Sequence, residues 1–360
     1  DESFSVNKGG KLMTQKVTDM IVPIQKSKYP SLTAEEETIS KPLQVLCASL
    51  FDAVLIHMMN KLAPKKWQLM RQDMCNKLNR NKFVRTAEIL ETSYSRTDVV
   101  FLQEVAGSFA TKVQSRPLNS LFFDVYSPSN GDPNRDQNSL ILLHKNKFIN
   151  IEEVTEPILS ILQTTHEKAP VSKGDLFVIT AKHNITNQEY VFASFHGDTN
   201  GLATIPVLEA VSTYANKIKP THKLLFGMDA NTYTSPDADQ QGVVAFAEWY
   251  DKQGLNSCWG KKPDPINFTT FHARTHLQSQ WNKAVALEEK DSKGDKNPKD
   301  FIIFNDNDFT LLQTTKDNTG ARNYIENMVF PTLDFPSDHG ITSSVLLDKP
   351  KVVATNLRGD

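Results

Sequence analysis

Residues 334–341 read Asp-Phe-Pro-Ser-Asp-His-Gly-Ile, and the apolar run Val-Leu-Leu follows at residues 345–347. A proline-containing turn here delivers an acid and an adjacent imidazole into a short predicted strand. This arrangement places Asp338 and His339 at the mouth of a sheet, where reaction centres are commonly built. Taken alone, the Ser-Asp-His tripeptide is a weak signal, because an acid beside a histidine in a surface turn is usually only solvated.

Three further stretches place polar side chains in the same setting. Each is an apolar run that predicts a buried strand and ends in polar residues: Gln103 and Glu104 after 99–102, His196 after 191–195, and Asp229 and Asn231 after 224–228. Strand ends of this kind can converge at one edge of a sheet. Together the four stretches predict a shared site that none of them predicts alone.

The polar groups occur in the order Gln-Glu, His-Gly-Asp, Gly-x-Asp-x-Asn and Ser-Asp-His. This order resembles the endonuclease/exonuclease/phosphatase (deoxyribonuclease I-like) superfamily, from residue 43 to residue 347, and matches no single subfamily. The resemblance implies an α/β fold, a four-layer α/β/β/α sandwich of two stacked, mainly antiparallel sheets flanked by helices. Alternating apolar strands with few long helices suit the same architecture.

The resemblance also implies a role for each polar residue. Asp229 and Asn231 match the water-orienting acid and its amide partner, His196 and His339 would donate hydrogen bonds to phosphoryl oxygens, and Asp300 would orient His339. Hydrolysis of a phosphate ester needs an aligned water, neutralised phosphoryl charge and a stabilised leaving oxygen. The structural alternative for the first pair is an Asx-turn that caps the following loop.

Two carboxylates, Glu104 and Asp338, are the candidate metal ligands. Their oxygens are hard donors, and the sequence shows no cysteine or histidine ligand spacing, so the predicted ion is Mg2+, or Mn2+ in its place. Such an ion would stabilise the transition state and the leaving alkoxide. For Glu104 the alternative is an exposed acid at the end of a strand.

Two candidate substrate contacts lie outside these stretches. Asn138 precedes an apolar strand in the segment where family members carry a polar residue that reaches the phosphate, and Arg274 lies in a donor-rich stretch. A guanidinium can hold a phosphate through two parallel hydrogen bonds. Arg274 belongs to a charged insertion over residues 272–299, which would have much the same composition as a solvated loop.

The first predicted strand, residues 43–50, departs from the family pattern. Family members usually end this strand with an asparagine that helps to hold the metal site, whereas the matching position here is Ser49. Serine is a poorer substitute, so this departure favours a catalytically silent binding or structural protein that retains the fold. The intact set of Glu104, Asp229 and His339 favours an enzyme.

Composition bounds the remaining possibilities. The chain has 360 residues, of which 39% are hydrophobic and 23% charged, and a net charge of -2 provides no overall basic field for nucleic acid. We expect no apolar run of about 20 residues that could cross a bilayer. The first residue is Asp, and acceptor tripeptides for glycosylation begin at Asn184 and Asn267, two features that favour a secreted or organellar location.

We predict three segments: a polar N-terminal extension over 1–40 that ends in a short helix capped by Thr33, a catalytic domain over 41–349, and a tail over 350–360. Further strands are predicted at 121–126, 138–143, 175–181, 189–195, 223–228 and 300–304, and helices at 53–62, 67–78, 206–218 and 243–253.

The leading functional hypothesis is a divalent-metal-dependent phosphodiesterase that acts on nucleic acid. A phosphatase or a lipid phosphodiesterase, acting on sphingomyelin or inositol phosphates, is the alternative enzyme of the same superfamily. Loops around a shared centre distinguish these substrates, and the fold alone does not choose among them. The sequence leaves the oligomeric state open.

Overall fold

The computed structural model describes residues 3–8, 11–16, 21–27, 29–129, 131, 135, 137–271 and 295–350. The chain separates into two compact units, Asp1–Asp73 and Met74–Asp360. The second unit contains all of the motif residues from Gln103 to His339, so the fold of that unit determines where the candidate site lies.

The first unit contains a β-hairpin and a long helix. Strands β1 (Ser3–Lys8) and β2 (Lys11–Lys16) pair antiparallel, helix α1 covers Ala34–Leu62, and helix α2 (Trp67–Cys75) begins in this unit. The predicted cap at Thr33 is confirmed: its hydroxyl accepts from the Glu36 N–H at 3.1 Å, and its own N–H donates to the Glu36 carboxylate at 2.8 Å. This reciprocal pair satisfies N–H groups that a helix start otherwise leaves free.

The strand predicted at 43–50 is wrong, because these residues lie inside α1. The Ser49 hydroxyl donates to the Val45 carbonyl at 2.9 Å, so Ser49 ends no strand. A short apolar run suits a buried strand or a helix equally well, and its neighbours decide between them. Among the described residues of the second unit no strand precedes β3 (Val99–Val105), so the sandwich there has no counterpart of the expected first strand.

Helix α1 also corrects the expectation that no segment could span a membrane. By length and composition alone it is long and apolar enough to do so. The helix predicted at 53–62 is its C-terminal part, and the one predicted at 67–78 is α2 followed by a helical turn at Asn76–Arg80.

Two sheets form the centre of the second unit. The larger has the strand order β10-β11-β9-β8-β7-β6 and the smaller has the order β3-β5-β4, while β12 and β13 form a separate antiparallel pair. Only β8 and β9 pair in parallel, and the chain connects them through α6. The strands are β4 (Phe123–Tyr126), β5 (Asn138–His144), β6 (Phe148–Glu153), β7 (Leu176–His183), β8 (Glu189–His196), β9 (Lys223–Asp229), β10 (Leu255–Ser257), β11 (Asp300–Asn305), β12 (Phe309–Asp317) and β13 (Ile341–Asp348).

Helices cover both outer faces of these sheets. They are α3 (Lys82–Ser93), α4 (Phe109–Lys112), α5 (Thr155–Thr165), α6 (Thr204–Thr213) and α7 (Val243–Lys252), with helical turns at Leu118–Phe122 and Tyr214–Ile218. The sequence predictions for α6, α7, β5, β7, β8, β9 and β11 are confirmed within a few residues at each end, whereas β6, β10 and β12 were not predicted.

Alternation of side chains along the strands builds the layers. On β8, Phe195 packs in a core shared with α5, α6 and α7, whereas Phe192 packs in the core between the two sheets. On β5, Ile141 faces that same core between the sheets, and Leu142 packs against α3. Because successive residues of a strand point to opposite faces, each central strand contributes to two cores. The result is the predicted α/β/β/α sandwich.

Two contacts join the sheets near the end of β3. A Cβ placed on Gly227 would lie 2.4 Å from the Phe101 ring, so only glycine allows this approach. The Gln103 amide donates to the Ser194 hydroxyl at 3.0 Å, and that hydroxyl donates to the Leu102 carbonyl at 3.0 Å. These buried hydrogen bonds fix β3 against the larger sheet.

Candidate active site

Three neighbouring strand ends of the larger sheet bring polar residues into one row. His196 lies opposite Asp229 in the parallel pairing of β8 and β9, and Asp300 lies opposite Asp229 in the antiparallel pairing of β9 and β11. The register of one sheet therefore makes neighbours of residues that are far apart in the chain.

Asp229 is the centre of this row and is only 5% exposed. Its Oδ2 lies 3.5 Å from Nε2 of His196 and 3.6 Å from Nε2 of His339, and its Oδ1 accepts from the Asn231 N–H at 2.9 Å. Burial alone would raise the pKa of Asp229, but the positive charges of His339, His196 and Lys299 outweigh burial and lower it. Asp229 is thus held as an anion between two imidazoles.

His339 is fixed by Asp300, as the resemblance implies. Nδ1 of His339 lies 2.9 Å and 3.1 Å from the two carboxylate oxygens of Asp300. Burial alone would lower the pKa of His339, but the charges of Asp300 and Asp229 raise it well above its ordinary value. The ring is therefore a cation near neutral pH, and its Nε2–H is available on the side of Asp229.

Thr269 joins the two segments that carry this histidine and this acid. Its buried hydroxyl accepts from the Asp300 N–H at 3.1 Å, and its carbonyl accepts from the Gly340 N–H at 2.7 Å. Sequence reasoning did not find this role, because it depends on contacts between distant segments.

The described ends of the 272–299 insertion are also held together. The Asn297 N–H donates to the Thr270 hydroxyl at 3.1 Å, and the Thr269 N–H donates to the Asn297 carbonyl at 3.0 Å. The chain thus leaves and rejoins the sandwich at one place, directly before Asp300.

Asn231 has an amide group prepared for a ligand. Its backbone adopts the left-handed region, with φ of 46°, and its Oδ1 accepts from Nζ of Lys299 at 3.2 Å. The side chain is 4% exposed, and among the described residues its Nδ2 has no hydrogen-bond partner. A buried donor without a partner costs about 1–3 kcal/mol, so Nδ2 of Asn231 is available to an acceptor that binds beside Asp229.

Lys299 was not predicted as a site residue. It is 6% exposed, and its Nζ lies 3.4 Å from Oδ2 of Asp295 in addition to its bond with Asn231. Burial would lower the pKa of Lys299, but the charges of Asp229 and Asp295 raise it. The available sequence signal was a cation immediately before Asp300.

Glu104 enters the site from the smaller sheet. A bulge between Leu102 and Val105 interrupts the pairing of β3 with β5, and Glu104 has a φ of 53° there. Its Oε1 lies 3.8 Å from Nε2 of His196, and its side chain is 41% exposed. In the described part of the chain its carboxylate accepts no hydrogen bond, so it is open to a cation.

A hard divalent cation fits the donors at this site, although the predicted ligands are not the tightest cluster. Asp229, Asp300 and His339 each offer one atom within 4.8 Å of the others. The charges of Asp229, Asp300 and His339 already offset one another through the contacts described above. The predicted ligands Glu104 and Asp338 lie outside this cluster. Carboxylate oxygens are the donors that Mg2+ prefers. The charge of Asp338 also helps to raise the pKa of His339.

Of the two predicted substrate contacts, only Asn138 lies among the described residues. Asn138 is 3% exposed, and its amide donates to the Val105 carbonyl at 3.0 Å and to the Arg135 carbonyl at 2.9 Å. These bonds tie the end of β3 to the loop before β5, so in this structure both amide hydrogens serve the backbone. Arg274 lies outside the described residues.

Comparison with known protein families gives one match, at the start of the chain. A family model described as a domain of unknown function (DUF8234) matches residues 1–72, which is the first unit almost to its end. No curated protein matches the chain.

Several solved structures are similar to the chain. The human Nocturnin catalytic domain with bound sulfate anion is 13% identical, with a TM-score of 0.48 over 75% of this chain and 87% of that one. D. rerio TDP2 complexed with single strand DNA product is 14% identical, with a TM-score of 0.45 over 74% and 94%. The endonuclease/exonuclease/phosphatase from Bacteroides vulgatus is 11% identical, with a TM-score of 0.48 over 76% and 94%.

Proposed function

We propose that the second unit is a divalent-metal-dependent phosphodiesterase. One observation carries this proposal: the buried Asp229 carboxylate lies 3.5 Å and 3.6 Å from the Nε2 atoms of two histidines, beside an Asn231 amide whose Nδ2 is unpartnered among the described residues. This arrangement supplies a proton acceptor, two imidazole donors, of which His339 is cationic, and a neutral amide donor within one small volume. A phosphoryl group undergoing attack by water needs all of these groups.

Each side chain has a task in the reaction. Asp229 accepts a hydrogen bond from the attacking water and takes its proton, and the Nδ2 of Asn231 donates to an oxygen in the same pocket. His196 and His339 donate to the non-bridging oxygens, where negative charge must be neutralised. Asp300 keeps the His339 ring in place and charged, through the 2.9 Å bond to Nδ1.

The carboxylates of Glu104 and Asp338 would hold the metal ion. When bound, Mg2+ or Mn2+ supplies positive charge for the phosphoryl group and the leaving oxygen. The exposed Glu104 carboxylate, with no hydrogen-bond donor among the described residues, supports its assignment as a ligand.

Nucleic acid is the substrate that we propose first; the motif order resembles the superfamily as a whole and does not choose among its substrates. The lipid and inositol phosphate alternatives use the same reaction, so they are separated by substrate and not by mechanism. A protein without activity is disfavoured by Asp229, since a buried carboxylate between two histidines is costly to maintain for structure alone.

The test compares the wild type with Asp229→Asn on plasmid DNA, RNA, sphingomyelin and inositol phosphates, each with Mg2+ and with EDTA. We expect cleavage that requires the metal and falls by at least about 1,000-fold in the variant, because the water loses its proton acceptor. Asp98→Asn is the matched control, since the Asp98 side chain is 62% exposed and pairs only with Lys147 among the described residues. Undiminished hydrolysis by folded Asp229→Asn protein would refute the mechanism.

A further inference from the structure

The described part of the chain leaves most of helix α1 unburied. From residue 41 to residue 66 no residue is buried. Between Pro42 and Asn60 the only formally charged side chain is that of Asp52. A long apolar helix without a buried residue is unfavourable in water, because its apolar side chains remain at least partly hydrated.

The apolar side chains of α1 are not confined to one face. Leu43, Leu46, Leu50 and Val54 share one face and are 46–59% exposed. Ile56, 40% exposed, lies on the opposite face together with Val45 and Met59. A helix that packs on a protein partner or on a second copy of itself shows one apolar stripe and a polar opposite face. A helix that is apolar on every face instead suits the hydrocarbon interior of a lipid bilayer, which contacts all of its faces.

The length of the apolar run matches a bilayer. At about 1.5 Å per residue, residues 42–60 extend over about 29 Å, close to the hydrocarbon thickness of about 30 Å. Charged residues delimit both ends: Glu35, Glu36, Glu37 and Lys41 before the run, and Lys61, Lys65 and Lys66 after it. Charged side chains at these positions would lie at the two membrane interfaces.

We propose that α1 spans a lipid bilayer and anchors the catalytic unit to a membrane. The occupant of the exposed apolar surface is therefore the acyl chains of phospholipids. Asp52 is the one residue of the run that opposes insertion, since a carboxylate near the bilayer centre is unfavourable. The proposal is independent of the reaction assigned to the second unit.

Two native cysteines provide a direct test. Cys47 lies inside the apolar run and Cys75 lies beyond its basic end, and both are exposed in the protein. Maleimides react with the thiolate, which does not form in hydrocarbon. The full-length chain is reconstituted from detergent into phosphatidylcholine vesicles, treated with N-ethylmaleimide, which crosses membranes, and analysed by mass spectrometry. We expect labelling of Cys47 to be slowed at least about tenfold relative to Cys75 in vesicles and not in dilute vesicle-free buffer.

Two variants complete the experiment. Leu50→Lys places a second charge in the run and should restore Cys47 labelling and release the protein from vesicles during an alkaline carbonate wash. Ile185→Lys is the matched control, because Ile185 is 80% exposed in the second unit, and it should behave as the wild type. Rapid labelling of Cys47 in vesicles would overturn the proposal. The proposal would also be overturned, in favour of self-association, if Cys47 were labelled equally slowly with and without vesicles and rapidly once the protein was diluted.

Discussion

Replacement of Lys299 by methionine tests whether the amide of Asn231 is held in one orientation for catalysis. Nζ of Lys299 donates to Oδ1 of Asn231 at 3.2 Å, which leaves Nδ2 as the atom free for the substrate. Methionine has a similar length and cannot donate a hydrogen bond. In Lys299→Met the amide is free to rotate and to present an acceptor where the phosphoryl oxygen needs a donor.

The size of the effect follows from the bond that is removed. A hydrogen bond that involves a charged group contributes about 1.5–3 kcal/mol, and each 1.4 kcal/mol corresponds to about tenfold in rate. We therefore expect kcat to fall by about 10- to 150-fold, with a smaller change in KM. Loss of the lysine also removes one of the charges that lower the pKa of Asp229, so the acidic limb of the pH profile should move to higher pH.

The assay is hydrolysis of the best substrate at saturating Mg2+ across a range of pH. Lys299→Arg is the conservative control, because it keeps both the charge and a donor, and it should recover part of kcat. Circular dichroism of each variant establishes that the fold is retained. Wild-type kcat and an unmoved acidic limb in Lys299→Met, alongside an inactive Asp229→Asn, would refute the positioning role and leave the proposed reaction intact.

Two further predictions concern stability. Asp317, which is 1% exposed, accepts from the Tyr94 hydroxyl at 2.7 Å and from backbone N–H groups, and these donors outweigh burial and lower its pKa. Asp317→Asn should reduce the free energy of unfolding by about 2–4 kcal/mol in guanidinium titrations at pH 7. The pKa of Asp317 is lower in the folded chain than its unfolded value of about 4, so the wild type should lose this stability as the pH falls below about 4 and through the folded pKa. The variant should not show this loss. Parallel plots of unfolding free energy against pH for the two proteins would contradict the prediction. Gly227→Ala should destabilise by at least about 1–3 kcal/mol in the same titration, since its Cβ meets the Phe101 ring, and unchanged stability would show that the two sheets separate easily.

The sequence predicted the part of the site that follows from strand ends. His196 and Asp229 each end an apolar run, and the length and apolar composition of these runs are typical of central strands. Their roles came from the order of the motifs, and the 2.9 Å bond from His339 to Asp300 agrees with the implied pairing. Local pattern was sufficient wherever the polar residue directly follows its strand.

The sequence could not predict features that depend on distant partners. The roles of Thr269 and Lys299 depend on segments that meet only in the folded chain, and the positive φ of Glu104 follows from a bulge against β5. The error at residues 43–50 has a different cause. Residues 43–50, of which six are apolar, satisfy the strand and helix patterns equally. The helical outcome depends on the cap at Thr33 and on the apolar run continuing to Leu62.

The two ends of the 272–299 insertion are joined by hydrogen bonds, so the length of the insertion does not determine the position of Asp300. Thr269 and Thr270 form hydrogen bonds with Asn297, Lys299 and Asp300. These bonds fix the position of Asp300 without any contribution from residues 272–294. Evolution can therefore lengthen, shorten or recompose residues 272–294 without displacing Asp300. Changes of sequence in this segment would therefore leave the contacts between Asp300 and His339 in place.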